Sequence, residues 1–417
     1  MKKIYSAFML AVLFNLSATM LLAQAGWTIY DHSNSALATS SVYKAVAVDA
    51  SGNIWAGGSY SGLFKFNGTA WTEYSTFNST ILHDDINAIV IDNSNKVWAG
   101  NYKGISVYNG TTFTNYDTIS AGFDGMTVYT LAKDNNGKIW IASKNGSFGY
   151  KGITTYDGSI WANLSGYPSQ LVNQEFTDFA FTASNETWIG STGIAKWNGT
   201  FSFYPKATTG LWNSDCVAID GSGTVWAGGF DGLLKYSGST WTFYDNVTFF
   251  GFTSNTFFYD ILVDGNILWI GTAKGLLKFD RTTSSVLVNY NSTNSPLQDN
   301  CVVSIAKDAS GNLWMGTTIG VVKMNPSQVG AVNELDNYPI RVYPNPCVEK
   351  IVIAQPETME LTRYAVLDMY GREITNGTLT TKETIIYTGT LPDGNYVVEL
   401  RSEDGSKEAH RKIFVQN

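Results

Sequence analysis

Seven tryptophans recur along this chain: Trp55, Trp98, Trp140, Trp188, Trp226, Trp269 and Trp314. Their gaps are 43, 42, 48, 38, 43 and 45 residues. Each stands in the same local phrase. The clearest copies run from Val48-Asp49 through Gly52 to Trp55-Ala56-Gly57, from Ile219-Asp220 through Gly223 to Trp226-Ala227-Gly228, and from Lys307-Asp308 through Gly311 to Trp314-Met315-Gly316. A fixed period of this length, rich in β-formers, builds one four-stranded blade per repeat and a ring of blades overall. The expected fold is therefore all-β, a seven-bladed β-propeller. The tryptophans themselves read as wedges between blades.

Repeat one divides into four strands. Ala45–Asp49 alternates small and branched residues, as an inner strand does. Asp49 to Gly52 is a turn, because Asp bonds its own backbone and Gly accepts positive φ. Ile54–Gly58 and Gly62–Phe66 follow, with a loop at Ser59-Tyr60-Ser61. Asn67-Gly68 is a hairpin signal before the outer strand Ala70–Tyr74. The last repeat lacks its outer strand: Gly320 to Met324 is followed by Asn325-Pro326-Ser327. The missing piece is at the other end, where Gly26-Trp27-Thr28-Ile29-Tyr30 matches Ala70-Trp71-Thr72-Glu73-Tyr74. The reading is closure by strand exchange, which also hides a sheet edge.

The ends of the chain differ from the ring. Residues 1–25 read as a signal peptide, with Lys2-Lys3, an apolar run and Ala23-Gln24-Ala25. Residues 26–330 are assigned to the propeller and 331–340 to a linker. Residues 341–417 carry denser charge, and seven short strands drawn there predict a small antiparallel β-sandwich. No later segment is long and apolar enough to span a bilayer.

Composition excludes some partners. Residues 26–330 hold fifteen Lys, one Arg (Arg281) and 22 acidic residues. Nucleic acid and anionic membranes need clustered basic charge, so neither is expected as a partner. A sialidase needs several arginines, and a single one is present. The three cysteines, Cys216, Cys301 and Cys347, make no disulfide framework. Cys216 stands ten residues before its Trp, where other repeats place Ala45, Ala88 and Ser304, and reads as a small buried filler.

The chain has three histidines, His32, His83 and His410, with no metal-ligand spacing, so no metal or cofactor is expected. His83 beside Asp84-Asp85 lacks any nucleophile motif to make a triad. The repeated Asp49, Asp92, Asp134, Asp220, Asp264 and Asp308 are explained together by one turn requirement. Glycosidase chemistry needs two converging carboxylates. Asp84, Asp85, Glu175, Asp215, Asp231 and Asp299 lie on loops of one face, and nothing singles out a pair. The expectation is a protein that is not an enzyme, and a monomer.

In a propeller, the loops joining strands two to three and strand four to the next blade open on one face. Candidate ligand residues there are Tyr60, Tyr102, Lys103, Tyr150, Trp212, Asp231 and Lys274, alongside Tyr167 and Phe230. Aromatic faces with polar neighbours suit sugar rings.

Two resemblances follow from these residues. The repeats, typified by Trp269-Ile270-Gly271 followed by Gly275-Leu276-Leu277-Lys278-Phe279, resemble the two-component-regulator propeller family, whose members often sense oligosaccharides outside the cytoplasm. This chain has no kinase region, so the resemblance implies a ligand-binding role at most. The tail resembles the type IX secretion sorting domain of Bacteroidota. The matching residues are Val342-Tyr343-Pro344-Asn345-Pro346, Leu367-Asp368-Met369-Tyr370-Gly371-Arg372, Gly394 with Tyr396, and Lys412 to Val415. That implies passage through the periplasm and outer membrane with the secretion machinery as partner, then release or attachment at the surface. The function expected is a secreted or surface-attached propeller that binds glycan or protein through one loop face. The alternatives are a polysaccharide hydrolase or lyase, and an adhesive protein without a discrete pocket.

Overall fold

The computed structural model describes residues 26–39, 41–122, 125–144, 151–172, 174–329, 341–344, 347–355, 361–368, 372–379, 383–403 and 408–416. The signal peptide and the linker assigned above lie outside these residues, as does Tyr150. The chain divides into two compact units, within residues 1–329 and 330–417.

Among the described residues of the first unit there are seven antiparallel four-stranded sheets. Blade one is Tyr43–Val48, Ile54–Gly58, Gly62–Phe66 and Trp71–Tyr74, paired in chain order. Blades two to six repeat this order within 86–116, 127–163, 179–204, 216–245 and 258–290. Blade seven has three strands from residues 302–324, and its outer strand is Trp27–Tyr30, which pairs antiparallel with Val321–Met324. Inner strands lie side by side round the ring, and Tyr43–Val48 touches both Ile86–Ile91 and Val302–Lys307. Closure by strand exchange is thus observed directly.

The repeat works as a clasp. In blade one, Asp49 Oδ1 accepts the Ser51 and Asn53 backbone N–H groups, both at 2.9 Å, which forms the turn. Its other oxygen, Oδ2, accepts the Trp55 indole N–H at 2.9 Å. The same indole bond recurs from Trp98, Trp140, Trp226, Trp269 and Trp314 to Asp92, Asp134, Asp220, Asp264 and Asp308. Turn chemistry alone was visible in the sequence; the second oxygen explains why Asp and Trp keep their spacing. Burial alone would raise the carboxyls of Asp49, Asp220 and Asp308, but these hydrogen bonds outweigh it and hold all three below the usual range. The rings are buried between blades, Trp55 for example among Leu63, Ile81, Ile86 and Val97. A third-strand lysine lies over five of them, as Lys65 does over Trp55 at 5.4 Å.

Blade four breaks the rule. Thr182 replaces the Asp, and its hydroxyl accepts only the Glu186 N–H and meets Ser184. Among the described residues no carboxylate takes the Trp188 N–H. Thr182→Asp is therefore expected to stabilise the ring by about 1 kcal/mol. Thermal melting tests this, and an unchanged or lower midpoint would refute it.

The tail forms two antiparallel sheets. One contains Arg341–Tyr343, Lys350–Ala354 and Glu383–Tyr387; the other orders Glu373–Thr378, Leu361–Leu367, Gly394–Ser402 and Glu408–Val415. Ile351, Ile353, Val366, Ile386, Val398 and Ile413 share one core between them. The expected seven strands and sandwich are found.

Candidate functional site

In four of the blades a glycine shapes the candidate face. Gly62, Gly104, Gly232 and Gly275 open the third strands with φ of +97°, +139°, +156° and +124°. A Cβ at any of them would come within 2.5 Å of a carbonyl of its own blade's outer strand, of Tyr74, Tyr116, Tyr244 and Tyr290 respectively. The residues just ahead of these glycines project from the face. They include Tyr60, Tyr102, Lys103, Asp231 and Lys274, so five of the predicted ligand residues occupy equivalent turns on blades one, two, five and six.

The structure joins only some of them. Trp212 is exposed on the connection from blade four to blade five, and its backbone N–H donates to Asp231 Oδ1 at 3.1 Å. Lys206 Nζ reaches Asp231 Oδ2 at 3.2 Å and lies 4.7 Å from the Trp212 ring centre. Lys206 belongs to a single helical turn, Lys206–Thr209, whose role the sequence reading missed. Beside this trio runs an aromatic row. Phe230 meets Phe257 at 4.7 Å, and Phe257 stacks on Tyr259 at 5.7 Å. Among the described residues, Tyr102 has only the His83 ring as an aromatic neighbour, at 5.4 Å. Tyr60 and Lys274 stand on separate turns, with no contact to the Trp212 group. Tyr167 belongs to the core of the loop layer: it stacks on Phe176 at 5.5 Å, and its hydroxyl accepts the Ile153 N–H.

Exposure is lopsided. Among the described residues of the propeller, the exposed large apolar side chains lie on these connections or at the starts of inner strands, with Ile160 alone on the opposite turns. Phe77 is 99% exposed and Ile119 92%, at the tips of the connections after blades one and two. A second repeat holds these connections in place. Seven residues beyond the last Tyr of an outer strand comes a buried plug: Leu37 after Tyr30, Ile81 after Tyr74, Leu211 after Tyr204, Leu297 after Tyr290. That spacing was a readable signal for which tips project.

Most carboxylates of this face are already engaged, but Asp215 Oδ2 is buried with no hydrogen-bond partner among the described residues. Asp84 accepts from Thr76, Asp85 from Lys44, Glu175 from Lys144, and Asp299 from Thr318. Asp215 accepts from Asn213 at 2.7 Å, and burial pushes its carboxyl up to about 6. His83 Nδ1 accepts the Asp85 backbone N–H at 3.0 Å, a bond that uses the atom a triad carboxylate would orient. A cavity of about 150 Å³ lies between Tyr129, Ser143, Lys144, Glu175 and Phe176.

Behind the face runs a ring of inter-blade bonds. The position ten residues before each Trp, nine in repeat six, holds Ala45, Ala88, Thr130, Asp178, Cys216, Asp260 and Ser304. Asp178 Oδ2 accepts the Val217 N–H at 2.8 Å, Asp260 Oδ2 the Ile305 N–H at 2.6 Å, and Ser304 Oγ the Val46 N–H at 3.1 Å. Each bond ties one blade to the next. Cys216 is buried as expected, and its thiol donates to the Phe258 carbonyl at 3.4 Å. Two carboxylates at this filler position went unnoticed in the sequence.

In the tail, Tyr343 donates its hydroxyl to Glu383 at 3.0 Å, and buried Tyr396 donates to the Pro392 carbonyl at 2.9 Å. Pro344 follows Tyr343 through a cis peptide bond. Gly394 and Lys412 lie on the paired strands Gly394–Ser402 and Glu408–Val415. Arg372 closes on Asp368 at 3.0 Å. Asn345, Pro346 and Gly371 lie outside the described residues.

Comparison with known families agrees with this geometry. A family described as "Secretion system C-terminal sorting domain" matches residues 341–416, and "Two component regulator propeller" matches 122–145 and 296–318. The tail thus matches a secretion sorting domain, and two of the propeller repeats match the regulator-propeller family. Such a tail directs the propeller to the cell surface or the exterior. Among curated proteins none matches the chain. Solved structures share the fold. PorZ, an essential surface component of the type IX secretion system of Porphyromonas gingivalis, is 20% identical with a TM-score of 0.57, over 94% of this chain and 61% of its own. The extracellular domain of BT3049, assigned to a hybrid two-component system of B. thetaiotaomicron, is 16% identical with a TM-score of 0.59, over 94% of this chain and 58% of its own. This chain thus spans about three fifths of those proteins. A virginiamycin B lyase from Staphylococcus aureus is 12% identical with a TM-score of 0.57, covering 72% of this chain and 99% of its own. No helix among the described residues is long and apolar enough to cross a membrane.

Proposed function

We propose that this exported propeller is a binding protein that recognises a glycan or a protein through the face described above. The observation that carries the reading is the one-sided exposure of large apolar side chains, which normally marks an interaction surface. The sector built from Lys206, Trp212, Asp231, Phe230 and Phe257 offers flat rings beside a charged pair. Sugar rings stack on such surfaces while their hydroxyls find polar partners. A catalytic role has less support, because most carboxylates of this face are held by partners and Asp215, whose Oδ2 is unpartnered, has no second free carboxylate beside it among the described residues.

The test is a glycan array, followed by titration of the best ligand with the full mature chain. Trp212→Ala and Phe257→Ala are expected to cost about 2 kcal/mol of binding each. Ile160→Ala, on the opposite face, should leave affinity unchanged. Equal losses from Ile160→Ala and Trp212→Ala would rule out this face. Failure of every glycan would leave a protein ligand as the surviving form of the proposal.

A further inference from the structure

One junction between blades is not closed like the others. Two residues after its tryptophan each repeat has glycine, except the third, which has Ala142. A Cβ at Gly57, Gly100, Gly228, Gly271 or Gly316 would come within 2.8 Å of the next blade, at Ile86, Val128, Phe258, Val302 or Tyr43 respectively. Those blades therefore meet without a gap. Ala142 keeps its methyl. The residue placed to close on it is Phe176, which precedes Trp188 by the same twelve positions as Ile86 precedes Trp98. Ala142 and Phe176 share one core, and both line the cavity of about 150 Å³ noted above.

The cavity runs inward from the candidate face. Tyr129 and Glu175 at its mouth are exposed, whereas Ala142 and Phe176 are buried. Tyr129 stands there because the strand pairing slips between Val128 and Thr130 and leaves it out of the ladder. Lys144 Nζ lies 4.2 Å from the Tyr129 ring centre and 2.7 Å from Glu175 Oε1, so the charges of the rim are paired. The Thr177 hydroxyl donates to the Ser214 carbonyl at 2.6 Å. Ser143 alternates to the opposite face of its strand, the side of Ile141, which belongs to a different core from Ala142. Among the described residues the wall is thus two aromatic rings and a methyl, with Lys144, Glu175 and Thr177 already engaged.

We infer that this cavity receives one phenylalanine side chain of a protein partner. A space of about 150 Å³ between apolar side chains holds one benzene-sized ring. A phenyl ring entering it gains edge and face contacts with Tyr129 and Phe176, and it buries no polar group. A hexose would bring several hydroxyls to side chains that are already paired, and a buried hydroxyl without a partner opposes binding. An aromatic anchor in a pocket with a polar rim is also where binding energy concentrates in protein interfaces. The inference rests on the reading of this face as a recognition surface, and at this cavity it narrows the partner to a protein.

The experiment titrates three probes into the full mature chain, followed by saturation-transfer NMR: N-acetylphenylalanine amide, N-acetylalanine amide and methyl glucoside. The phenylalanine amide should bind saturably, with a Kd on the order of 1 mM, and the other two should not. Ala142→Val fills the cavity and should abolish that binding. Tyr129→Ala should weaken it about fivefold. Tyr129 is 39% exposed, so its removal leaves the core untouched and serves as the test if Ala142→Val does not fold. No saturable binding of the phenylalanine amide, equal or tighter binding of methyl glucoside, or indifference to either substitution in a folded variant would overturn the inference. Such a result beside a glycan ligand that depends on Trp212 would remove the cavity from the site and leave the reading of the face standing.

Discussion

A chain that begins at Asp31 instead of Gly26 is expected to lose the cooperative melting transition of the ring. Four residues, Trp27–Tyr30, supply the entire outer strand of blade seven. Their side chains also tie that blade to both neighbours. Trp27 meets Tyr290 of blade six at 5.7 Å, and Tyr30 meets Phe66 and Trp71 of blade one at 5.1 and 5.7 Å. Tyr30 stacks on Trp314 of its own blade as well. Withdrawing three large side chains from these contacts costs about 5 kcal/mol of apolar burial, comparable with the whole stability of many domains. It also leaves Val321–Met324 as an open edge, which invites association. Circular dichroism melting and gel filtration of the truncated chain would show a broad, early transition and oligomers. Tyr30→Ala alone should cost about 3 kcal/mol. A truncated chain that stays monomeric and melts at the native temperature would refute the closing role of this strand.

The second large effect concerns pH. Burial pushes the Asp178 carboxyl up to about 7, with the charge of Asp260 adding to it. Burial pushes Asp260 up to about 6. Cys216 stands between these positions, and burial together with the two aspartates drives its thiol well above the usual range, so it contributes no charge. In the unfolded chain both carboxyls release their protons near pH 4. Between that value and about pH 7 the folded protein holds protons that the unfolded chain has lost. Stability therefore falls as pH rises through this window. Complete desolvation would make the Asp178 contribution about 4 kcal/mol at pH 8. Both residues retain some accessible surface, and solvent screening reduces the figure to on the order of 2 kcal/mol. The clasp carboxyls Asp49, Asp220 and Asp308 act in the opposite sense, losing their stabilising contribution as pH drops below about 4. Melting temperature should thus peak near pH 5 and decline by several degrees towards pH 8. Asp178→Asn keeps an acceptor for the Val217 N–H and removes the titration. It should raise the melting temperature at pH 8 and flatten the decline. A native profile that is level from pH 5 to 8 would refute this account.

The fold was legible because each blade states its own constraints. Asp, Gly and Trp at fixed offsets define a turn and a wedge, and seven copies average out local noise. The closing strand was legible for the same reason, since Trp27 to Tyr30 copies Trp71 to Tyr74. Contacts that cross between repeats were not. The offset from Trp188 and Trp269 leads to Asp178 and Asp260, yet only a neighbouring blade shows what those carboxylates accept. Lys206 was missed because its helical turn occurs once. Phe77 was missed because the plug that anchors its loop, Ile81, follows a weaker seven-residue spacing. Trp212 and Asp231 were both named from sequence, and their contact spans nineteen residues of chain that no repeat rule connects.

The glycine that opens the third strand of blades one, two, five and six bears on how such proteins diversify. Gly62, Gly104, Gly232 and Gly275 accept the close approach of the outer strand, so the side chains just ahead of them at Tyr60, Lys103 and Lys274 are left exposed, while Asp231 holds the Trp212 backbone. If those turns bind the proposed ligand, such a propeller would change its ligand by rewriting single turns, leaving every clasp and wedge untouched. Its scaffold and its specificity are inherited separately.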